Sequence, residues 1–388
     1  VSVQADGHPR ALPQWERVLG WCGTAALIYL LICAVSIISR GFAGLSGDAA
    51  RALFAFADHP WVGLFVGVLG TVVIQSSTTV TAIAVTAVGA GALSVQGAIP
   101  VILGANVGTT VTTTLVALTF LGDRVELRRA LGASSIHDFY NWLSLAIFFP
   151  IELAWHPLER MSGALATQLS ETSWLPDPSH FNIVQTLTNP FVDSVLALTR
   201  ALSEHLGPLF NVVLGAILIL VAVKYLGKLL KGLMVGRARE ALTRAVGRNR
   251  YAAMATGLGV TVLTQSSTIT TSVLVPFAGA GVLTPRQIYP VTVGANLGTT
   301  LTVVFAAFAA EGAGSTAQIG LQAAFVHLLY NAFAILLIYV IPVLRPVPLW
   351  LAENFARLAS AHRWVIPLYL GAAFIAIPLL VIVFVGIV

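Results

Sequence analysis

The sequence contains one unit twice. "TVVIQSSTTVTAIAVTAVGAGAL" begins at position 71 and "TVLTQSSTITTSVLVPFAGAGVL" at 261; "IPVILGANVGTT" at 99 returns as "YPVTVGANLGTT" at 289, and "HDFYN" at 137 as "HLLYN" at 327. Gln75 recurs as Gln265, Asn106 as Asn296 and His137 as His327, each 190 residues later, so no insertion has shifted the register between them. A chain with such long internal identity must fold as two related units that bury corresponding faces.

The solvent those units expect is lipid. Charged residues make up 10% of the chain, against roughly a quarter in soluble domains. Apolar runs long enough to cross hydrocarbon, which takes about twenty residues, lie at 18–39, 133–151, 208–230, 320–342 and 364–388. The same offset carries 208–229 back onto 18–39, so a first helix belongs to each unit. Loop charge then orients the copies. After the first GAN segment comes "GDRVELRRALG", with Arg124, Arg128 and Arg129; after the second comes "EGAGSTAQIG", with no basic residue. Basic loops stay in the cytoplasm, which assigns 122–132 and the basic stretch 231–250 to the inside and 311–318 to the outside. Equivalent loops on opposite sides require an odd number of crossings per unit. The expected fold is an all-α polytopic membrane protein with two inverted-topology repeats, each holding a re-entrant helical hairpin at QSST and a broken transmembrane helix at GAN-GTT. Its parts are an N-terminal segment 1–17 starting in the cytoplasm, repeat one at 18–151, an external linker loop at 152–207, repeat two at 208–342, and a cytoplasmic segment with an extra transmembrane helix at 343–388.

Non-helical backbone survives at membrane depth only where protein buries it or it lines a wet cavity. A reversal at Gln75–Thr78 and at Gln265–Thr268 starts a new helix whose free N–H groups attract an anion. Serine and threonine hydroxyls and the glutamine amide add donors and oxygen ligands. Gly104, Gly108, Gly294 and Gly298 are expected to loosen the helix around Asn106 and Asn296, freeing carbonyl oxygens suited to Na⁺. Between Trp61 and Gly122 no Asp, Glu, Lys, Arg or His occurs, and the matching part of the second unit has only Arg286 and, at its last position, Glu311. Neutral ligands leave a co-bound cation to supply the charge that an anion needs, which makes its binding conditional on that cation.

Other classes fit less well. A formal charge of +5 arises from basic residues at the ends of apolar runs, which topology explains without nucleic acid. Cys22 and Cys33 share the first apolar run and suit neither a zinc site nor a loop disulfide. No phosphate-binding loop, zinc spacing or nucleophile with a matched base is present, so no enzyme and no cofactor are expected. His137, His327, Tyr140, Tyr330, Asn141 and Asn331 read as structural hydrogen-bonding residues that pin the last helix of each unit. A symporter of another small anion such as a carboxylate stays open, although no fixed Arg offers bidentate recognition. A channel stays open too.

The paired QSST and "GAN[VL]GTT" motifs, with the run "GDRVELRRALGASSIHDFYNWLSLAIFFPIE", resemble the type II sodium-dependent phosphate cotransporter family over roughly 60–152 and 208–345. The resemblance implies Na⁺-coupled import of inorganic phosphate by alternating access, across a plasma membrane. It implies phosphate ligands at Gln75, Ser76, Ser77, Thr78, Gln265, Ser266, Ser267 and Thr268. Gln75 and Ser267 would also serve Na⁺, together with Asn106, Thr109, Thr110, Asn296, Thr299 and Thr300. The family's fourth motif position is Ser, and here it is Thr in both copies. Asp138 is a further Na⁺ candidate: it is an acid inside an apolar helix, its repeat partner is Leu328, and an intramembrane carboxylate is a functional hypothesis by default. In the family, Asp after that His marks electrogenic members. Eukaryotic members carry a disulfide-bonded, glycosylated outer loop; this chain has no loop cysteine and no N-x-[ST] sequon, which points to a bacterial inner-membrane relative.

Overall fold

The computed structural model describes residues 14–45, 54–171, 182–202, 206–219, 249–309 and 315–385, with isolated positions between 221 and 229. The N-terminal segment up to residue 13, the basic stretch 231–248 and residues 310–314 of the expected outer loop lie outside the described residues. Among the described residues every element is helical.

After α1 (Gln14–Gly44) come two short apolar helices, α2 (Pro60–Ile74) and α3 (Ser77–Gly89). At 1.5 Å per residue neither exceeds about 23 Å, short of a ~30 Å hydrocarbon core. Next are α4 (Val95–Gly108) and α5 (Val111–Ala117), separated by Thr109 and Thr110, and then the long α6 (Arg124–Trp155). The stretch 152–207, expected as a linker loop, carries α7 (Pro157–Glu171) and α8 (Asn182–Leu202). α8 lies on α1, where Arg40 binds Asp193 at 2.5 Å and Asn189 at 2.6 Å. The second copy follows α9 (Gly207–Ile219) with α10 (Arg250–Thr264), α11 (Ser267–Ser272), α12 (Leu274–Gly279), α13 (Pro285–Ala309) and α14 (Ser315–Ala334), the last extended by a π-turn at Ile335–Val340. Pro276, one turn past Ser272, has no N–H for that turn and interrupts what in the first copy is a single helix. α15 (Pro346–Ala361), α16 (Val365–Gly371) and α17 (Ile377–Val385) close the chain.

Among the described residues, five helical spans are long and apolar enough to cross a membrane: Gln14–Phe42, Val95–Phe120, Pro285–Phe305, Gln318–Val340 and Val365–Val385. α6 has the length, ~48 Å, but is not among them. Its buried side carries Ser134, Ser135, His137, Asp138, Asn141 and Ser144, which lowers its apolarity while leaving its polar groups inside the protein.

The glycines of the GAN-GTT segments do something other than loosen the helix. A Cβ on Gly104 would lie 1.9 Å from Leu64 O, and one on Gly294 would lie 1.9 Å from Met254 O. Their opposites behave alike, Gly67 against Val101 O at 2.1 Å and Gly257 against Val291 O at 2.2 Å. Both copies thus use paired glycines to bring backbones into contact, α2 on α4 and α10 on α13, as small residues do between membrane helices. The expected break is found in the first copy only, at Thr109–Thr110; α13 runs unbroken through Asn296. The sequence explains the difference. Thr109, Thr110, Thr112, Thr113 and Thr114 crowd the first copy, and the second keeps only Thr299, Thr300 and Thr302. Threonine hydroxyls compete for helical carbonyls and bend helices.

The copies embrace each other. α3 of the first packs on α13 and α14 of the second, while α11 packs on α5 and α12 on α5 and α6 of the first. Ala57 and Pro60, where the first helix pair begins, line one cavity with Ser94 and Gly97, where it ends, and with Glu152 and His156 at the C-terminal end of α6. The second pair meets the other end: Gly279 abuts Phe120, Gly281 abuts Arg129, and Pro285 shares a cavity with Arg128 and Gly132. The two helix pairs therefore open toward opposite ends of α6.

Candidate functional site

Each QSST tip is a two-residue joint between helices. Gln75 ends α2 in the left-handed region (φ 58°, ψ 27°), with its N–H on Thr71 O; Ser76 is extended (φ −153°, ψ 104°) and its hydroxyl accepts from Thr79 N. Gln265 (φ 52°, ψ 28°) and Ser266 (φ −153°, ψ 109°) repeat this, with Ser266 Oγ accepting from Ile269 N. Glycine or asparagine usually fills such a helix-ending position, and a side chain with a Cβ costs ~1–2 kcal/mol there. Both copies bear that cost. The first two N–H groups of each outgoing helix, on Ser77 and Thr78 and on Ser267 and Thr268, have no carbonyl in their own helix to bond.

Both tips reach α5. Gln75 Oε1 accepts from Thr112 Oγ1 at 2.5 Å, while its Nε2 donates to Val72 O. From the other side α11 packs on the same helix. Gln265 differs from its twin, because its Oε1 is buried with no protein partner. Ser77 and Ser267 are buried, Gln75 is exposed, and Ser76, Thr78, Gln265, Ser266 and Thr268 are half-buried.

The same helix, α5, meets α6 at an acid. Asp138 is 0% exposed; Oδ2 accepts from Thr114 Oγ1 at 3.3 Å, Thr110 is a second hydroxyl neighbour, and Oδ1 has no protein partner. The repeat partners of Asp138 and Thr114 are Leu328 and Val304, which sit in a hydrophobic cluster. The polar pair is replaced as a pair. The architecture therefore does not require an acid here, and an orphaned carboxylate oxygen beside two hydroxyls is a donor set for a hard cation.

Asn106 and Asn296 are engaged elsewhere. His137 Nε2 donates to Asn296 Oδ1 at 3.1 Å, and His327 Nε2 faces Asn106 Oδ1 at 3.5 Å, each histidine reaching into the other copy. Asn296 Nδ2 donates to Asn141 Oδ1 and to Asn331 Oδ1, both at 2.8 Å; Asn106 Nδ2 donates to Asn331 Oδ1 at 3.1 Å; and Asn141 Nδ2 donates to Asn106 O at 2.9 Å. All six residues are buried. They form a polar latch between the copies, in which the asparagine side-chain oxygens already have partners. The hydroxyls of Thr109, Thr110, Thr299 and Thr300 donate to carbonyls of their own helices, Ala105, Val107, Ala295 and Leu297. Their oxygens keep a free lone pair.

Thr112 and Thr114, which bond Gln75 and Asp138, are candidates that motif reading passed over, since they follow GAN-GTT without belonging to it. Comparing the copies would have found Thr114, because it changes to Val304 where Asp138 changes to Leu328.

A family model described as Na⁺/Pi-cotransporter matches residues 30–148 and 218–380. The human sodium-dependent phosphate transport protein 2B is 30% identical over an alignment covering 91% of this chain and 63% of its own length. The mouse sodium-dependent phosphate transport protein 2A is 31% identical, over 92% and 66%, and the 2B protein of Pongo abelii 29%, over 91% and 63%. The chain thus spans less than two thirds of the length of these relatives. No solved structure matches it.

Proposed function

The chain belongs to the Na⁺/Pi-cotransporter family, and we propose that it is a secondary symporter that imports inorganic phosphate together with Na⁺ across a plasma membrane, in a bacterial cell the inner one. The observation that carries this reading is the pair of matched tips. Each sets two helix N–H groups that have no carbonyl in their own helix, with a cluster of hydroxyls, beside the shared helix α5, and donors of this kind suit a tetrahedral oxyanion. Ser76, Ser77, Thr78, Ser266, Ser267 and Thr268, with the Gln75 and Gln265 amides, would hold phosphate. The strained left-handed glutamines support it, since a glycine would fold there at lower cost.

Na⁺ would bind at Asp138 with Thr110 and Thr114, where Oδ1 has no protein partner, and near Gln75 and Ser267, with Thr109, Thr299 and Thr300 as secondary candidates. Asn106 and Asn296 are better assigned to the latch. With Asp138 ionised and no equivalent in the second copy, the extra cation supports electrogenic import.

Each helix pair would be a re-entrant hairpin, the first from outside and the second from the cytoplasm, making the repeats inverted. Their opening toward opposite ends of α6 supports this, as does the cluster of Arg128, Arg129 and Arg357 around one cavity at the end where the second pair opens. The N-terminus would then be cytoplasmic. Radiolabelled phosphate uptake into proteoliposomes tests the reading, with an inward Na⁺ gradient compared with an equal K⁺ gradient. Na⁺-dependent accumulation is expected, abolished by Ser76→Ala combined with Ser266→Ala in inserted protein. Wild-type uptake in that double variant would remove the tips from the site.

A further inference from the structure

At the arginine-bearing end of α6 a cavity of about 530 Å³ opens between three elements, lined by Arg128, Arg129 and Gly132 of α6, Pro285 at the start of α13, and Glu353 and Arg357 of α15. Three guanidiniums face one lining carboxylate. Asp123 is within Coulombic reach of Arg129 but is committed as the helix cap: the N–H groups of Glu126 and Val125 bond it and hold its carboxyl below the usual range. Arg357 also donates to Asn354 on its own helix.

The rim is apolar in a pattern that suits lipid. α15 buries Pro348, Ala352, Ala356 and Ala359 on the protein side and turns Trp350 and Leu358 outward, with Trp364 exposed just beyond. Sixteen residues, about 24 Å, do not cross a bilayer. A short helix whose exposed side sets Trp350 and Leu358 among Glu353 and Arg357, with Trp364 just past its end, suits the headgroup layer. Val125 of α6 is likewise exposed next to the cavity.

We propose that this pocket binds the phosphate headgroup of an anionic phospholipid. A basic pocket between helices at the cytoplasmic surface has the right chemistry, and guanidinium forks match phosphate oxygens. The apolar rim favours the lipid over free phosphate, because it offers the acyl chains a surface that an inorganic ion has no use for. The headgroup would also touch the joint between α12 and α13. Arg129 lies against Gly281, where a Cβ would come within 2.7 Å of its Nη1, and Pro285 at the far end of that joint is part of the pocket wall. A bound lipid therefore ties α6 and α15 to the base of the second helix pair. The inference stands on the membrane reading and not on which solute is transported.

The test titrates purified, delipidated full-length chain with phosphatidylglycerol and follows retained lipid by native mass spectrometry, with phosphatidylcholine and inorganic phosphate in parallel arms. Selective retention of phosphatidylglycerol is expected. Arg357→Gln should weaken it about fivefold, the factor equivalent to ~1 kcal/mol per juxtamembrane charge, and Glu353→Gln should strengthen it by a similar factor. These two residues are diagnostic because changes at Arg128 or Arg129 also disturb topology. Equal retention of both lipids, or no response to either α15 variant, would overturn the proposal. Displacement of phosphatidylglycerol by inorganic phosphate alone would mark a free-phosphate site instead.

Discussion

Making the first copy resemble the second at one point separates coupling from folding. The perturbation is Asp138→Leu with Thr114→Val, which installs the pair found at Leu328 and Val304. Asp138 is fully buried, has one hydrogen bond at 3.3 Å and leaves Oδ1 without a protein partner. An orphaned buried acceptor costs ~1–3 kcal/mol, and removing both partners for apolar groups of similar shape is neutral or stabilising. Thermal unfolding in detergent should therefore hold or rise. Transport should move the other way. If Asp138 carries one Na⁺ of the cycle, its loss removes about 2.3 kcal/mol of driving force per 100 mV of inside-negative potential. At roughly 1.4 kcal/mol per decade, steady-state phosphate accumulation at that potential falls about 50-fold from the electrical contribution alone. The assay is phosphate accumulation in proteoliposomes with the potential clamped by a K⁺ gradient and valinomycin. An unchanged voltage dependence in a well-folded double variant would refute the cation role; a large loss of stability would refute the argument that Asp138 is a cost to the fold.

Two further outcomes follow from the packing. Asn296→Ala removes three interhelical hydrogen bonds, which at ~0.6 kcal/mol each in membranes is about 2 kcal/mol of stability; thermal unfolding should register it with the apparent Na⁺ affinity of the surviving protein unchanged, whereas a large affinity loss would restore Asn296 as a ligand. Gly104→Ala must push α2 off α4, because its Cβ meets backbone at 1.9 Å, while Gly259→Ala meets nothing within 4 Å; the first should cost 3 kcal/mol or more, at or above the usual ~1–3 for overpacking, the second close to nothing, and similar melting temperatures would contradict the close-approach reading.

The tips were legible because their signals are local: a serine able to cap, a Gln-Ser pair between apolar runs, and a constant offset that aligned both copies. The glycines of GAN-GTT were misread because a glycine that frees backbone and one that admits a neighbouring backbone look alike in sequence. What distinguishes them is Leu64 or Met254, forty residues earlier. The latch was half legible. His137, Asn141 and their repeats stood out as structural, but the side chains they bind, Asn106 and Asn296, looked free for Na⁺ until the two copies were seen to cross. α7 and α8 escaped because their stretch is rich in Pro, Trp and polar residues.

The reciprocity has a mechanical consequence. Each outgoing tip helix is bedded in the opposite copy, α3 on α13 and α14, α11 and α12 on α5 and α6, and the latch joins α13 and α14 to α6 and to α4 through residues from both copies. A displacement of one tip is therefore transmitted to the helices that support the other. Symmetry of this kind favours two tips that rearrange together, which alternating access requires, but symmetry alone would treat both sides of the membrane alike. The departures from it supply direction. They cluster around α5: the Thr109–Thr110 break, the Thr112 bond that holds Gln75 while Gln265 Oε1 stays open, and Asp138 with no counterpart. One short helix thus touches both tips and the buried acid, where a cation bound at Asp138 would be felt by both halves of the anion site proposed at the tips.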